Sequence, residues 1–491
     1  MPKTDKADVV IIGGGIVGTA IARDLARYDI DVLLLEQNPD LAMCTTKANS
    51  AILHAGFDAP EGSLKARLNV RGNELYRQLQ PELGFELDLT GSLVVALSEA
   101  EMNSLEELYQ RGKNNGVPGL ELLPRERVLE LEPNLSQEVA GALYAPTGGV
   151  MWPFGAALAF AENAVRNGAR IKTECPVTGI ETEAGQVTGV QTPGGFIAAR
   201  YIVNAAGLHS DDVGRLVGDD SFTITPRKGE YILFDKKSGG LVRNVIFPTP
   251  TKVSKGILVA PTIHGNIFIG PNAYNSGEKE DVATTPPGLA EIIAGAKRMV
   301  PGIPMGAAIT QFAGLRAVSD SGDFVIRPST AARGLIHAAG IQSPGLTAAP
   351  AIAELVTAIL GEQGLALTPK REFQPANPPA VVFSKLADEA KQALIRENPL
   401  YGRIICRCET VTEGEIVDAI RRPCGARTVD GVKRRVRAGM GRCQGGFCGP
   451  RVTAILAREL NIPVTAIRKD KAASYLFYDK IPGGSEVSCD A

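Results

Sequence analysis

No stretch of this sequence approaches eighteen uncharged apolar residues, so a membrane-spanning helix is not expected. Neither sign of charge is in surplus. Lys plus Arg number 52 and Asp plus Glu 54, and the resulting net charge of −2 gives no global reason to expect nucleic acid or an anionic membrane as partner. Cysteine is scarce: eight in 491 residues are too few for a secreted disulfide framework, and four crowd into residues 406 to 448, the pattern of a metal site in a reducing compartment. No signal peptide is expected, because Lys3 and Lys6 are followed at once by an apolar strand. These absences lead to the expectation of a cytoplasmic protein that meets a membrane only through partner subunits. Internal repeats and low-complexity tracts are missing too, and the length suits two to four domains with a large core.

What is present is organised around the first thirty-odd residues. Asp8-Val-Val-Ile-Ile-Gly13-Gly-Gly15-Ile-Val-Gly18 runs from an apolar segment into an amphipathic one, then to Val32 through Leu35 and Glu36. That order reads as strand, glycine turn, helix, strand. Gly13 permits the turn, Gly15 lets backbone amides approach a pyrophosphate, and Gly18 lets the helix pack closely. The phosphates are expected at the helix N-terminus and the ribose hydroxyls at Glu36, eighteen residues past Gly18. A dinucleotide follows from this; NAD and FAD both remain open.

Further along, Cys44-Thr-Thr-Lys-Ala-Asn-Ser50 to Gly56 is rich in small and hydroxyl residues, unlike a helix or strand face. Leu64, Leu68, Leu75 and Leu79 predict a helix over 61–80, and a second is predicted from Phe154 to Asn167. Short apolar runs over 85–145 suggest an insertion leading to a substrate-facing sheet, and the runs over 222–275 a second, antiparallel sheet. Arg200 to Gly207 is an apolar strand ending in small residues, suited to lying beside a cofactor. Gly334 to Pro350 repeats the strand, glycine turn and helix start, and offers a second helix N-terminus to an electron-rich ligand atom. Thr368 to Pro379, with Pro369, Pro375, Pro378 and Pro379, reads as a linker.

Beyond it lie Cys406-Arg-Cys408 and, after thirty-four intervening residues, Cys443-Gln-Gly-Gly-Phe-Cys448. Four thiolates are what a [2Fe–2S] cluster takes. Structural zinc more often pairs its cysteines as C-x₂₋₄-C at both ends, so Cys-x-Cys favours the cluster over zinc. Thr412-Glu-Gly-Glu415 is a capping box opening a helix that Pro423 stops. The Gly445-Gly446 turn lets amides point at sulfur, and Pro450 suits the first position of a further helix. The run Lys433-Arg-Arg435-Val-Arg437 reads as a solvated helix face, with offsetting the cluster's charge or docking an acidic electron acceptor as the alternative. Cys44, Cys175, Cys424 and Cys489 read as bystanders.

The opening turn with Glu36, the Val203-Asn-Ala-Ala-Gly207 strand end and the Gly340 to Pro350 turn together resemble the D-amino-acid-oxidase-like FAD oxidoreductases over residues 7 to about 360, and Ala22 matches that family's extended fingerprint. FAD rather than NAD is implied by this resemblance. Thr46 to Ser50, His54-Ala-Gly56, Pro250 to Pro261, Ala313-Gly-Leu-Arg316 and Gln342-Ser343-Pro-Gly-Leu are similar to the glycerol-3-phosphate oxidases and the flavoprotein subunit of anaerobic glycerol-3-phosphate dehydrogenase. L-2-hydroxyglutarate oxidases share much of the pattern, including a segment like Gly62 to Arg67. The cysteine region resembles the bacterioferritin-associated ferredoxin fold.

The resemblance implies His54 as the base beside the flavin, Arg316 and Lys255 as an anion clamp for phosphate or carboxylate, with Lys252 as a substitute for Lys255, and Ser343 as a hydroxyl at the mouth of the site. It carries the FAD contacts onto Gly13, Gly15, Ile16, Val17, Gly18, Glu36 and Gln37. In the following loop it implies Thr45, Thr46, Asn49 and Ser50. Further on it implies Val177, Ala206 and Gly207, then Gly340, Gly345, Leu346 and Thr347. Cys406, Cys408, Cys443 and Cys448 are the expected cluster ligands.

The expected fold is α/β: a Rossmann-like FAD-binding domain (1–80, 146–215 and 310–365), an antiparallel β-sheet substrate domain (81–145 and 216–309), a linker (366–400), a small helical [2Fe–2S] domain (401–458) and a tail (459–491). The expected activity is oxidation of glycerol 3-phosphate, electrons passing from FAD to the cluster and on to an acceptor protein or further subunits. A 2-hydroxy-acid dehydrogenase is the alternative, and a redox or iron-handling binding protein a third. An oligomer is compatible with the sequence. Tyr475-Leu-Phe-Tyr478 suggests an apolar contact by the tail.

Overall fold

The computed structural model describes residues 5–250, 256–471 and 473–477. The chain divides into two compact units, 1–37 with 41–379, and 38–40 with 380–491.

In the first unit the apolar runs flanking the glycine turn become parallel strands. Asp5–Ile12 lies between Val32–Leu35 and Gly195–Asn204, and Leu335–Ala339 pairs with the latter, all parallel, within an eight-stranded sheet. Every residue of Val32–Leu35 and Leu335–Ala339 is buried, as expected of strands covered on both faces. The register aligns Ile12 with Leu35 and Asn204, and Asn204 with His337. The first three strands therefore end together and Leu335–Ala339 runs two residues further, and the carboxyl edge of such a sheet is where ligands bind in open α/β folds.

Two helices, Ile16–Leu25 and Gly345–Glu362, pack on this sheet, and a third, Leu64–Leu83, packs on the latter. Ile16–Leu25 is buried along its length, and Leu64–Leu83 starts at Ser63, whose hydroxyl accepts the Ala66 N–H. Gly345–Glu362 packs on both. A Cβ at Gly72 would stand 2.1 Å from the Thr347 carbonyl oxygen, so glycine there sets the close crossing of the last two. Gly345–Glu362 is also the one helix among the described residues long and apolar enough to cross a membrane; here it is mostly buried inside the unit.

The second sheet has nine strands and is mixed, where an antiparallel sheet was expected. Val245–Pro248 runs parallel to Ser92–Ala96, and that pairing joins the 81–145 and 216–309 segments. Its long member, Ala308–Ser319, pairs with Ile224–Phe234 throughout, so residues 310–319 lie in this sheet although they were read with the flavin segments. No glycine or proline interrupts the strand at the expected boundary. The segment read as a linker is divided as well. Residues 366–379 belong to the first unit, where Asn163 and Asn167 donate to the Gln374 carbonyl, and 380–400 to the second, where Asp388–Glu397 is helical.

The second unit has its own core, built on Ile416, Val417, Ile420, Val432, Val452 and Leu456. The Thr412 to Glu415 capping box forms in both directions and opens the helix Glu413–Arg421. Pro450 stands in the first turn of Gly449–Leu460. The basic run departs from expectation: Arg434 and Arg435 are buried. Asp40 accepts from Arg434 at 2.8 Å and from Arg435 at 2.8 and 2.9 Å, Asp470 accepts from Arg434 at 2.7 Å, and Arg437 donates to Glu409 at 2.8 Å. The run lies inside the unit because acids distant in sequence converge on it. In the tail, Tyr475, Leu476 and Phe477 are exposed; Tyr478 lies outside the described residues.

Candidate active site and cysteine centre

The glycine turn has the geometry its spacing implied. Gly13 sits at φ 112°, and a Cβ there would lie 2.4 Å from the Ala205 oxygen. At Gly18 a Cβ would stand 1.9 Å from the Gly13 oxygen, so only glycine allows the helix to begin this close to the turn. At Gly15 the nearest atom to a Cβ is the Thr46 hydroxyl at 3.2 Å, which leaves the approach to the helix end open. That end has no side-chain cap and no acid in its first turn, and Thr46 Oγ1 accepts the Ile16 N–H at 3.0 Å. Ile16 and Val17 are buried behind it. Glu36 is buried, with one carboxylate oxygen accepting the Gly14 N–H at 2.7 Å; Gln37 beside it is exposed. This is an anion cradle with an acid at its rim, and its residues fit the pyrophosphate and ribose of FAD.

The loop after it is tied down tightly. Thr45 donates to the Leu315 carbonyl at 2.8 Å, Asn49 donates to the carbonyls of Thr45 and Thr46, and its own oxygen accepts the Ala51 N–H. Ser50 is half-buried. Ala42, Cys44 and Ala51 all take left-handed φ near 55°, a concentration of strain typical of ligand-holding loops. Val177 lies at the rim of the parallel-sheet core. Ala206 and Gly207 form the turn after Gly195–Asn204, Gly207 at φ 59°.

His54 is brought to Ser343 across 289 positions: its Nε2 stands 3.3 Å from the Ser343 hydroxyl. Its backbone is held on both sides. The Thr347 hydroxyl accepts its N–H at 2.9 Å, and Asn69 and Asn73 donate to its carbonyl at 3.3 and 3.1 Å. Asn73 also donates to the Thr147 carbonyl at 2.8 Å. Sequence reasoning missed both asparagines; their i, i+4 spacing on one predicted helix face was the available signal. Phe247 lies 6.0 Å from the imidazole, and a pocket lined by His54, Phe57, Val94, Phe247 and Pro248 opens beside it. Gly340 at φ 65° makes the turn that delivers Ser343, and Gly345 starts a helix with no side-chain cap and no acid in its first turn. The Leu346 carbonyl accepts the Tyr76 hydroxyl at 3.0 Å.

Arg316 is half-buried on the second sheet, its guanidinium 3.0 Å from where a Cβ of Gly229 would be. On the same face of its strand, Gly314 abuts the Ala48 carbonyl and Phe312 stacks on Tyr231 at 4.7 Å. Among the described residues its guanidinium has no hydrogen-bond or ion-pair partner, although nearly every other buried or half-buried arginine here has one. Lys252 and Lys255 lie outside the described residues.

In the second unit the four cysteines come together as two pairs. Cys408 and Cys443 have their sulfurs 3.8 Å apart, and Cys448 hydrogen-bonds Cys406. That bond, with the Gly439 and Glu409 backbone N–H groups, brings the Cys406 thiol down to about 6 and pushes that of its donor Cys448 up; the Phe447 and Gly445 N–H groups lower that of Cys443, while burial raises that of Cys408. Thiolate is the ligating form. Among the described residues no three such side chains are gathered for a single metal ion. Two pairs suit two irons with two thiolates each better than one tetrahedral zinc. Cys44 and Cys175 belong to the first unit, and Cys424 contributes its carbonyl to Arg435; Cys489 lies outside the described residues.

Comparison with known proteins agrees with both halves. Residues 8–359 match the FAD dependent oxidoreductase family DAO, and 404–458 match the BFD-like [2Fe-2S] binding domain. The chain is 47% identical to a glycerol 3-phosphate dehydrogenase of Caloramator mitchellensis over 98% of its own length and 99% of that protein. It is 33% identical to the human mitochondrial L-2-hydroxyglutarate dehydrogenase over 56% of this chain and 63% of that one. Among solved structures, the dithionite-reduced L-alpha-glycerophosphate oxidase of Mycoplasma pneumoniae with FAD bound superposes with a TM-score of 0.73 at 31% identity, covering 77% of this chain and all of that one. The chain thus belongs to the DAO family of FAD-dependent oxidoreductases, with a BFD-like [2Fe–2S] binding domain at its C-terminal side.

Proposed function

We propose that this enzyme oxidises the secondary alcohol of sn-glycerol 3-phosphate to dihydroxyacetone phosphate. The observation that carries the reading is the 47% identity to a glycerol 3-phosphate dehydrogenase along virtually the whole of both chains, cysteine region included. FAD supplies the two-electron oxidant at the first unit, and the [2Fe–2S] cluster a one-electron relay to a partner protein or quinone pathway.

Within this reading His54 Nε2 takes the proton of the substrate hydroxyl, and Ser343 orients that nitrogen from 3.3 Å. The unpartnered fork of Arg316 grips two oxygens of the substrate phosphate, with Lys255 adding a point charge. The cradle at Gly13, Gly15 and Gly18 holds the pyrophosphate, Glu36 and Gln37 the adenosine side. Thr45, Thr46, Asn49, Ser50, Val177, Ala206 and Gly207 line the cofactor's course. Gly340, Gly345, Leu346 and Thr347 bring the second helix end to the flavin. Cys406, Cys408, Cys443 and Cys448 are the cluster ligands. The segmental division into flavin, substrate and cluster regions is part of the same proposal, as is a reducing, cytoplasmic setting with membrane association only through partners.

Anaerobic addition of glycerol 3-phosphate bleaches the flavin of the wild type. His54→Ala and Arg316→Ala keep their FAD and lose this bleaching; reduction at the wild-type rate in both would sink the assignment. L-2-Hydroxyglutarate is the competing substrate, and bleaching by it alone would select the 2-hydroxy-acid reading.

A further inference from the structure

The loops that carry the cysteines also present an aromatic ring to solvent. Phe447, between Cys443 and Cys448, is 87% exposed, more than any other large apolar side chain among the described residues. Its backbone N–H donates to the Cys443 sulfur, which anchors it in the ligand loop. A single exposed apolar residue is ordinary on a surface. This one stands immediately before a buried cysteine, at the centre of the expected electron outlet, where exposure forgoes burial at the place a partner must approach.

The exposed charges on the cysteine-bearing segments have one sign. Arg407 lies between Cys406 and Cys408, Arg442 directly precedes Cys443, and Arg451 sits in the first turn of Gly449–Leu460; all three are exposed. Residues 406–408 and 440–451 contain no Asp or Glu. The next acid along the chain, Glu409, has a side chain only 3% exposed and is turned in against Arg437 at 2.8 Å. Because the Cys408 and Cys443 sulfurs stand 3.8 Å apart, the segments bearing Arg407 and Arg442 lie side by side, and Phe447 and Arg451 follow in the same 443–451 stretch. An aromatic anchor within a basic rim is complementary to an acidic surface: the ring supplies contact, the arginines steer encounter.

We propose that Phe447 with Arg407, Arg442 and Arg451 is the docking face for an acidic one-electron acceptor protein, an identification that rests on reading the four cysteines as cluster ligands. Each alcohol oxidised to a ketone releases two electrons and two protons. Two acceptor molecules each leave reduced by one electron, and the protons pass to water.

The test uses the holoenzyme with two haem proteins of opposite charge, cytochrome b5 (acidic) and cytochrome c (basic), as oxidised acceptors. The wild type binds cytochrome b5 in a titration and reduces it with a kcat/KM that falls steeply with added salt. The triple variant Arg407→Glu, Arg442→Glu, Arg451→Glu loses at least tenfold in both and turns its preference to cytochrome c. Phe447→Ser loses binding by a similar factor but keeps the salt dependence. Iron content, the cluster's electron paramagnetic resonance signal and flavin bleaching stay at wild-type levels in all variants. Equal binding and reduction of cytochrome b5 by wild type and triple variant, or no wild-type preference for it at low salt, overturns the docking face alone. Wild-type protein without iron and acid-labile sulfide removes the cluster reading as well.

Discussion

Gly18 shows how little room the cofactor cradle leaves. A Cβ there would lie 1.9 Å from the Gly13 oxygen, which is backbone and fixed by the Gly13 N–H bond to Leu35. Gly18→Ala must shift the helix start and is expected to purify with less than a tenth of the wild-type FAD, read from the flavin absorbance of the folded protein. Arg316 is the complementary case, where chemistry rather than space is restricted. Arg316→Lys keeps the charge and loses the fork, so the substrate's Kd from flavin bleaching is expected to rise at least tenfold while FAD stays bound. Asp40 gives a pH signature. Burial raises its carboxyl, but Arg435 and then Arg434 outweigh this and hold it at about 2. With the folded value below the ordinary ~4, its contribution is complete above about pH 4 and disappears as pH falls toward about 2. Asp40→Asn removes that acid-limb loss from the second unit's unfolding curve and lowers its stability at pH 7, by about 3–5 kcal/mol for a broken buried pair.

At the scale of elements, one helix reaches into the site from its interior. Leu64–Leu83 presents Asn69 and Asn73 to the His54 carbonyl. Asn73→Ala strips hydrogen bonds from the carbonyls of His54 and Thr147 at once, an expected loss of about 1–3 kcal/mol. The flavin reduction rate falls with it, a pairing that stopped-flow and thermal melts together will read. The capping box at Thr412 is a purely local device, and Thr412→Ala is expected to cost about 1 kcal/mol in the second unit without moving the flavin spectrum. Such helix boundaries were legible in the sequence because a cap acts over three residues. The mixed second sheet was not, since the parallel pairing of Val245–Pro248 with Ser92–Ala96 joins strands some 150 residues apart.

The whole molecule consists of two units with separate cores, so two unfolding transitions are expected in calorimetry. Cys443→Ser is expected to abolish iron and acid-labile sulfide, to lower only the transition of the second unit, and to leave FAD content intact. Iron retained at the wild-type level in that variant would remove Cys443 from the ligand set.

By itself the sequence determined the glycine turn, the strands on either side and the capping box. In each case the physics is short-ranged: steric freedom at one φ, a hydrogen bond within a turn. The cysteines pair instead across the chain, Cys408 with Cys443 and Cys406 with Cys448, so folding and not spacing decided which thiols meet. The sequence supplied His54, Ser343 and Arg316 only through likeness to a family, because 289 positions separate the first two and no local rule joins them. Tertiary structure alone decided which charges are buried. Lys433 to Arg437 reads as a surface run, yet Asp40, 394 residues from Arg434, converts two of its arginines into a buried network. Burial is a property of the assembled core, and a charge enters it only when folding brings a partner that its neighbours in sequence do not include.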